Sequence, residues 1–127
     1  MKILFSVSNT DNSIGFYQKR GLSHLKILDT RDKKIYYVKL PEDLKDKGLT
    51  GLAMDTDSFY VISHTREHPY LLKLSRRNLE LKKRAWLSQV KDPHQILVSG
   101  NKLLICSSGT NSIESYNKDT FSYLGTF

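Results

Sequence analysis

Residues 92–127 read DPHQILVSGNKLLICSSGTNSIESYNKDTFSYLGTF, and the fold turns on this stretch. Four short runs, 95–98, 103–107, 112–116 and 121–127, carry the apolar and β-prone residues expected of strands. Between them stand Ser99-Gly100-Asn101, Ser108-Gly109-Thr110-Asn111 and Asn117-Lys118-Asp119, each rich in residues that accept turn dihedrals. Connections this short join antiparallel neighbours, so the stretch predicts one four-stranded antiparallel sheet.

Working backwards, a shift of 44 residues lays 51–63 (GLAMDTDSFYVIS) on 95–107 (QILVSGNKLLICS). Apolar positions fall mostly on apolar positions, and the turn keeps its place. After a loop two residues longer, 72–81 (LKLSRRNLEL) lies on 114–123 (ESYNKDTFSY). The first third repeats the unit but begins late: 3–7, 24–29 and 35–40 match its second, third and fourth strands, with Asp29-Thr30-Arg31-Asp32 as the last turn. A first strand is missing there, so eleven strands are expected in all. Pro41 ends the first unit because it cannot donate to a ladder, and the polar connector 41–48 has room for a short helical turn. No other segment shows 3.6-residue periodicity, so the chain reads as all-β and as one domain, residues 1–127, with units at about 1–48, 49–91 and 92–127.

Residues 103–127 resemble the repeat of YVTN-type β-propellers: an apolar strand, a Ser-Gly-Thr-Asn-like turn, a strand, an Asn/Asp-centred turn and a strand ending in Gly-Thr. Asp92-Pro93-His94-Gln95-Ile96 is similar to the blade starts of NHL-type propellers. A period near 44 with four strands is also what propeller blades show. The resemblance implies about three β-propeller blades of four antiparallel strands, the first lacking its first strand. Closed propellers have about four to eight blades, so two apolar blade faces would be left uncovered. A head-to-tail homodimer closing a six-bladed ring would cover them, and so would membership of a longer propeller.

The chain has 127 residues, 39% of them hydrophobic and 10% aromatic, enough to bury a core. No apolar run approaches the roughly 20 residues that span a bilayer. Ile3-Leu4-Phe5 is too short for a secretory h-region, so a soluble, cytoplasmic chain is the expectation. The single cysteine, Cys106, falls in an apolar run and reads as a small hydrophobe. The net charge of +7 is concentrated in the first third and in residues 66–84, which carry seven basic and two acidic side chains. An anionic partner is one reading. A solvated edge is the one preferred: Arg76-Arg77 fall in a turn, Lys82-Lys83-Arg84 fall in an outer strand where lysines discourage edge pairing, and no aromatics interleave them as a nucleic-acid groove requires. Neither nucleic acid nor a membrane is expected as a partner.

Nucleophile elbows, P-loops, dinucleotide fingerprints, H-E-x-x-H and C-x-x-C are missing, and no cofactor is expected. In a propeller, the loops after second strands and those joining blades open on one channel mouth. That face would gather His64, Arg66, His94, Asn111 and Asn9 as candidate ligand-binding residues, with His68 nearby. Each has a plainer reading: His94 capping the Asp92-Pro93 turn, His64 and His68 in a solvated loop, Asn9 and Asn111 in left-handed turn positions. No ligand spacing marks a metal site. The loop 8–23 reads either as a lid or partner-binding loop or as filler. The function expected is a binding or interaction module for a small anionic ligand or a protein partner. The alternative is a lactonase- or lyase-like enzyme with His94 as base or metal ligand.

Overall fold

The structure, a computed structural model, describes residues 1–7, 24–45, 48–64 and 68–127. Among them, eleven strands form three antiparallel sheets, each in sequential order. The first sheet holds β1 (Lys2–Ser6), β2 (Leu25–Asp29) and β3 (Lys34–Tyr37). The second holds β4 (Leu49–Met54), β5 (Ser58–Ser63), β6 (Tyr70–Ser75) and β7 (Leu81–Trp86), and the third β8 (Pro93–Ser99), β9 (Lys102–Ser107), β10 (Ser112–Asn117) and β11 (Tyr123–Thr126). A one-turn helix, α1 (Glu42–Lys45), follows Pro41, and a 3-10 turn at Ser108–Thr110 follows β9. No described helix is long and apolar enough to cross a membrane.

The sheets share one local construction. In each, a turn residue just after the next-to-last strand donates its N–H back to the residue that precedes the strand before it: Thr30 to Met1 O at 2.9 Å, Arg76 to Asp57 O at 2.8 Å and Lys118 to Asn101 O at 2.9 Å. Asp29 Oδ1, Ser75 Oγ and Asn117 Oδ1 open these three turns by accepting the N–H two residues on, from Arg31, Arg77 and Asp119. This is the local bond that makes such residues turn-formers. Each turn then passes through a left-handed residue, Lys33 at φ 57°, Leu79 at φ 60° and Phe121 at φ 62°. An L side chain there costs about 1–2 kcal/mol, which glycine avoids. Lys33 is exposed, so Lys33→Gly should raise stability by up to about 1 kcal/mol, read as a higher urea midpoint; no gain would mean the turn is not left-handed.

Two strand boundaries differ from the sequence pattern. The last strand starts at Tyr123 rather than at 121, because Phe121 turns left-handed and buries itself. The last strand of the first sheet, β3, ends at Tyr37 rather than at 40, because Val38 and Leu40 drop into the core with Leu44 of α1.

Strand alternation sorts the core into two layers with the second sheet between them. Tyr60 and Ile62 of β5 face Ile96, Leu103, Ile105 and Tyr116 of the third sheet, whereas Val61 packs with Leu25 and Leu49 on the side of the first. β1 packs on β4 as β5 packs on β8, so the two layers have like geometry. At the closest approach of β4 and β8 stands Gly51, φ 58°, at a bulge in β4. A Cβ there would lie 3.0 Å from Ile96 Cγ2 and 3.1 Å from Ile96 N, so the position needs glycine for both space and dihedral.

Candidate functional site

The site begins where β5 and β9 end. Pro93 pairs with Ser107 just as Leu49 pairs with Ser63, and a bulge follows in each case. In β8 the bulge falls at His94, whose side chain stands largely in solvent. Bulges commonly re-aim a side chain in this way. Asp92, left-handed at φ 48°, brings the incoming chain against the 3-10 turn. There Ser108 Oγ lies 2.8 Å from Asp92 O and 2.9 Å from Asp92 Oδ2, and Gly109 N–H donates to Lys91 O at 3.1 Å. The turn ends at Asn111, whose left-handed φ of 52° is one that Asn adopts readily.

These pieces wall a cleft of about 550 Å³. His94, Ser108, Asn111 and Ser112 form its polar rim, and Gln95, Cys106, Ile113 and Phe127 continue it onto the outer side of the third sheet. Cys106 is therefore half-buried on that outer side rather than in the core. The Ser108 hydroxyl, with the nearby His94 ring, holds the Asp92 carboxyl below its usual range, and His94 Nε2 lies 3.4 Å from Asp92 Oδ2. The rim is thus a histidine beside a persistent carboxylate, with amides and hydroxyls around it.

The rim is anchored by a run of hydroxyls. Ser107 Oγ accepts from Lys91 N and donates to Lys91 O, fixing β9 to the incoming loop. Thr110 Oγ1 stands 2.6 Å from Ser107 Oγ and 2.6 Å from Ser112 Oγ, and Ser112 donates to Glu114 Oε1 at 2.7 Å. Glu114 is 3% exposed. Burial opposes its ionisation, but hydroxyls from Ser112, Thr126 and Tyr123 outweigh burial and leave the carboxyl below its ordinary value.

Of the residues the sequence pointed to, the structure brings His94 and Asn111 into one cleft. His64 lies instead at the junction of the second and third sheets. Its Nε2 is 2.7 Å from Thr50 Oγ1 and 3.0 Å from Pro93 O, and Thr50 Oγ1 donates to that same carbonyl at 2.9 Å. A carbonyl only accepts, so Nε2 carries a proton and His64 acts as a tie between sheets. His68 stacks near Trp86, ring centroids 5.8 Å apart, on the outer edge of the second sheet. Arg66, Asn9 and the loop 8–23 lie outside the described residues. Among the described residues no three His, Cys, Asp or Glu side chains converge as metal ligands. A larger cleft of about 630 Å³ between the outer parts of the first and second sheets is lined by Tyr37, Val38, Leu40, Leu79 and Leu81, and holds none of the candidates. The sequence reading missed Ser112, Cys106, Ile113 and Phe127 as walls. Alternation from Gln95 through the paired strands was the signal for Cys106 and Ile113. Comparison with known protein families finds no match for this chain, and comparison with curated proteins finds none.

Proposed function

We propose that the three sheets are blades of a β-propeller of the YVTN or NHL kind, and that the chain is a binding module whose partner, an extended protein segment, docks in the His94–Asn111 cleft. The blade reading is supported by the period near 44, the sequential strand order and the turn built three times over. The observation that carries the binding reading is the make-up of the cleft, a rim of donors and acceptors grading into an apolar wall at Ile113 and Phe127. Main-chain amides of a peptide match the Asn111 and Gln95 amides and the Ser108 hydroxyl, and an apolar side chain matches the wall. A small anion fits less well, because the Asp92 carboxylate stays ionised beside His94.

The test is a random peptide display library panned against the purified chain, with selected peptides titrated by fluorescence polarisation. His94→Ala and Asn111→Gly, the latter keeping the left-handed turn, should each weaken binding at least about tenfold. Failure to enrich any peptide, or affinities that ignore both variants, would contradict the reading. Turnover of a lactone or ester panel that disappears in His94→Ala would replace it with the enzyme alternative.

A further inference from the structure

The two end faces of the stack are apolar and open. Cross-strand register puts Gln95, Leu97, Leu104, Cys106, Ile113 and Ser115 on the outer face of the third sheet, where Phe127 pairs with Ile113. Lys102, opposite Ser99 and Asn117, is the charged residue that register adds at one end of this face; the others are uncharged, and Leu97 is 60% exposed, Ile113 41% and Phe127 74%. Register likewise puts Ile3, Phe5, Leu28, Ile35 and Tyr37 on the outer face of the first sheet. Ile35 is 53% exposed and Tyr37 47%, and Lys26, which register puts on that face, lies over the Tyr37 ring at 5.3 Å. Exposed apolar patches of this kind mark interfaces, and depletion of charge is what the core of an interface shows.

We infer that the outer face of the third sheet docks on the outer face of the first sheet in a second copy of this chain. Continuity with the packing already inside the chain selects that occupant. Each internal layer joins the face of one sheet that points along the chain order to the face of the next that points back. The two open faces are one of each kind. Joining them repeats the internal contact between copies, and a twofold rotation then closes two chains into six sheets. A cleft of about 430 Å³ lined by Leu52, Leu97, Leu104 and Ile113 marks the place on the third sheet where the neighbour's side chains enter. Gln95, Cys106 and Ile113 belong to both clefts, so in the pair the apolar end of the His94–Asn111 cleft lies at the junction with the second copy, while its rim at His94, Ser108 and Asn111 stays open to a peptide. This inference rests on the propeller reading for its ring geometry.

Sedimentation velocity on the whole chain, with circular dichroism on the same samples, tests it. The expected mass is twice 14.6 kDa. Leu97→Glu and Ile35→Glu, both at exposed positions, should each keep the β-sheet spectrum and halve the mass. Mixed together they should form a heterodimer, because each supplies the face the other has lost. A wild-type monomer that melts cooperatively as a β protein overturns the pairing while leaving the propeller reading in place. A dimer broken by only one variant, or a mixture that stays monomeric, overturns the head-to-tail arrangement. A wild-type chain without a cooperative β melt counts against both.

Discussion

Leu72→Ala and Leu103→Ala should each lower the free energy of unfolding by about 2–5 kcal/mol, the range for truncating a fully buried leucine. Both side chains are completely buried, but in different layers: Leu72 between the first and second sheets, Leu103 between the second and third. The second sheet supplies both layers through alternate residues of the same strands, so the layers should not melt apart. Urea titrations followed by circular dichroism should show one transition moved to lower urea by either change, with its slope kept. Two transitions, with Leu72→Ala moving only one, would mean that the sheets are separate cooperative units.

Asp55→Ala should cost about 2–3 kcal/mol, because this carboxylate joins two sheets and four donors. It accepts from Lys118 Nζ at 2.8 Å, Tyr60 OH at 3.0 Å, and the N–H groups of Ser58 at 2.9 Å and Asp57 at 3.0 Å. Its side chain is only 15% exposed, and Lys118 comes from the third sheet. Burial opposes ionisation, but the Lys118 ammonium and the other donors outweigh it and hold the carboxyl far below its ordinary 3.8. Since the folded value lies below the unfolded one, the unfolded chain takes up the proton first. The contribution is full above the ordinary value and is lost as pH falls below it. Asp55→Asn should therefore be less stable near neutrality and flatter in its pH dependence between about pH 5 and 2. Tyr60, pushed up to about 12 by burial and then by Asp55, gives the opposite limb. Its contribution is full below the ordinary tyrosine value of 10.0 and fades as pH rises toward 12. Urea midpoints measured across pH test both limbs, and a wild type and an Asp55→Asn variant with parallel acid limbs would rule out the Asp55 hub.

Much of the architecture was legible because it rests on patterns that repeat. The alternation in 58–63 and 102–107 and the turn signals around Asn101 and Asn117 carry strand, register and sheet boundary together. The local details that differed did so for reasons the pattern does not encode. Leu79 and Phe121 take a left-handed conformation that the sequence rule reserves for Gly or Asn, held there because both side chains pack into the core layers. Glu114 is mid-strand and charged, and the hydroxyls of Ser112, Tyr123 and Thr126 that make its burial tolerable are not marked by the strand pattern. Asp55 was hidden because its counterpart 44 residues on is Ser99, and its ammonium partner lies 63 residues away. At the site, His94 and Asn111 were legible as loop residues expected on one face. His64 was not legible as a tie, since its partners, the Thr50 hydroxyl and the Pro93 carbonyl, become visible only when the sheets are stacked.

The stacking of the second sheet against the third is most directly tested by zero-length carbodiimide coupling of the native chain, followed by peptide mass spectrometry. Lys118–Asp55 at 2.8 Å and Lys73–Asp119 at 3.1 Å both bridge those sheets, whereas Lys82–Glu80 at 2.8 Å lies within one strand and its turn. The expected result is recovery of both bridging links along with the local one. Recovery of the local link with neither bridging link would contradict the arrangement of the sheets.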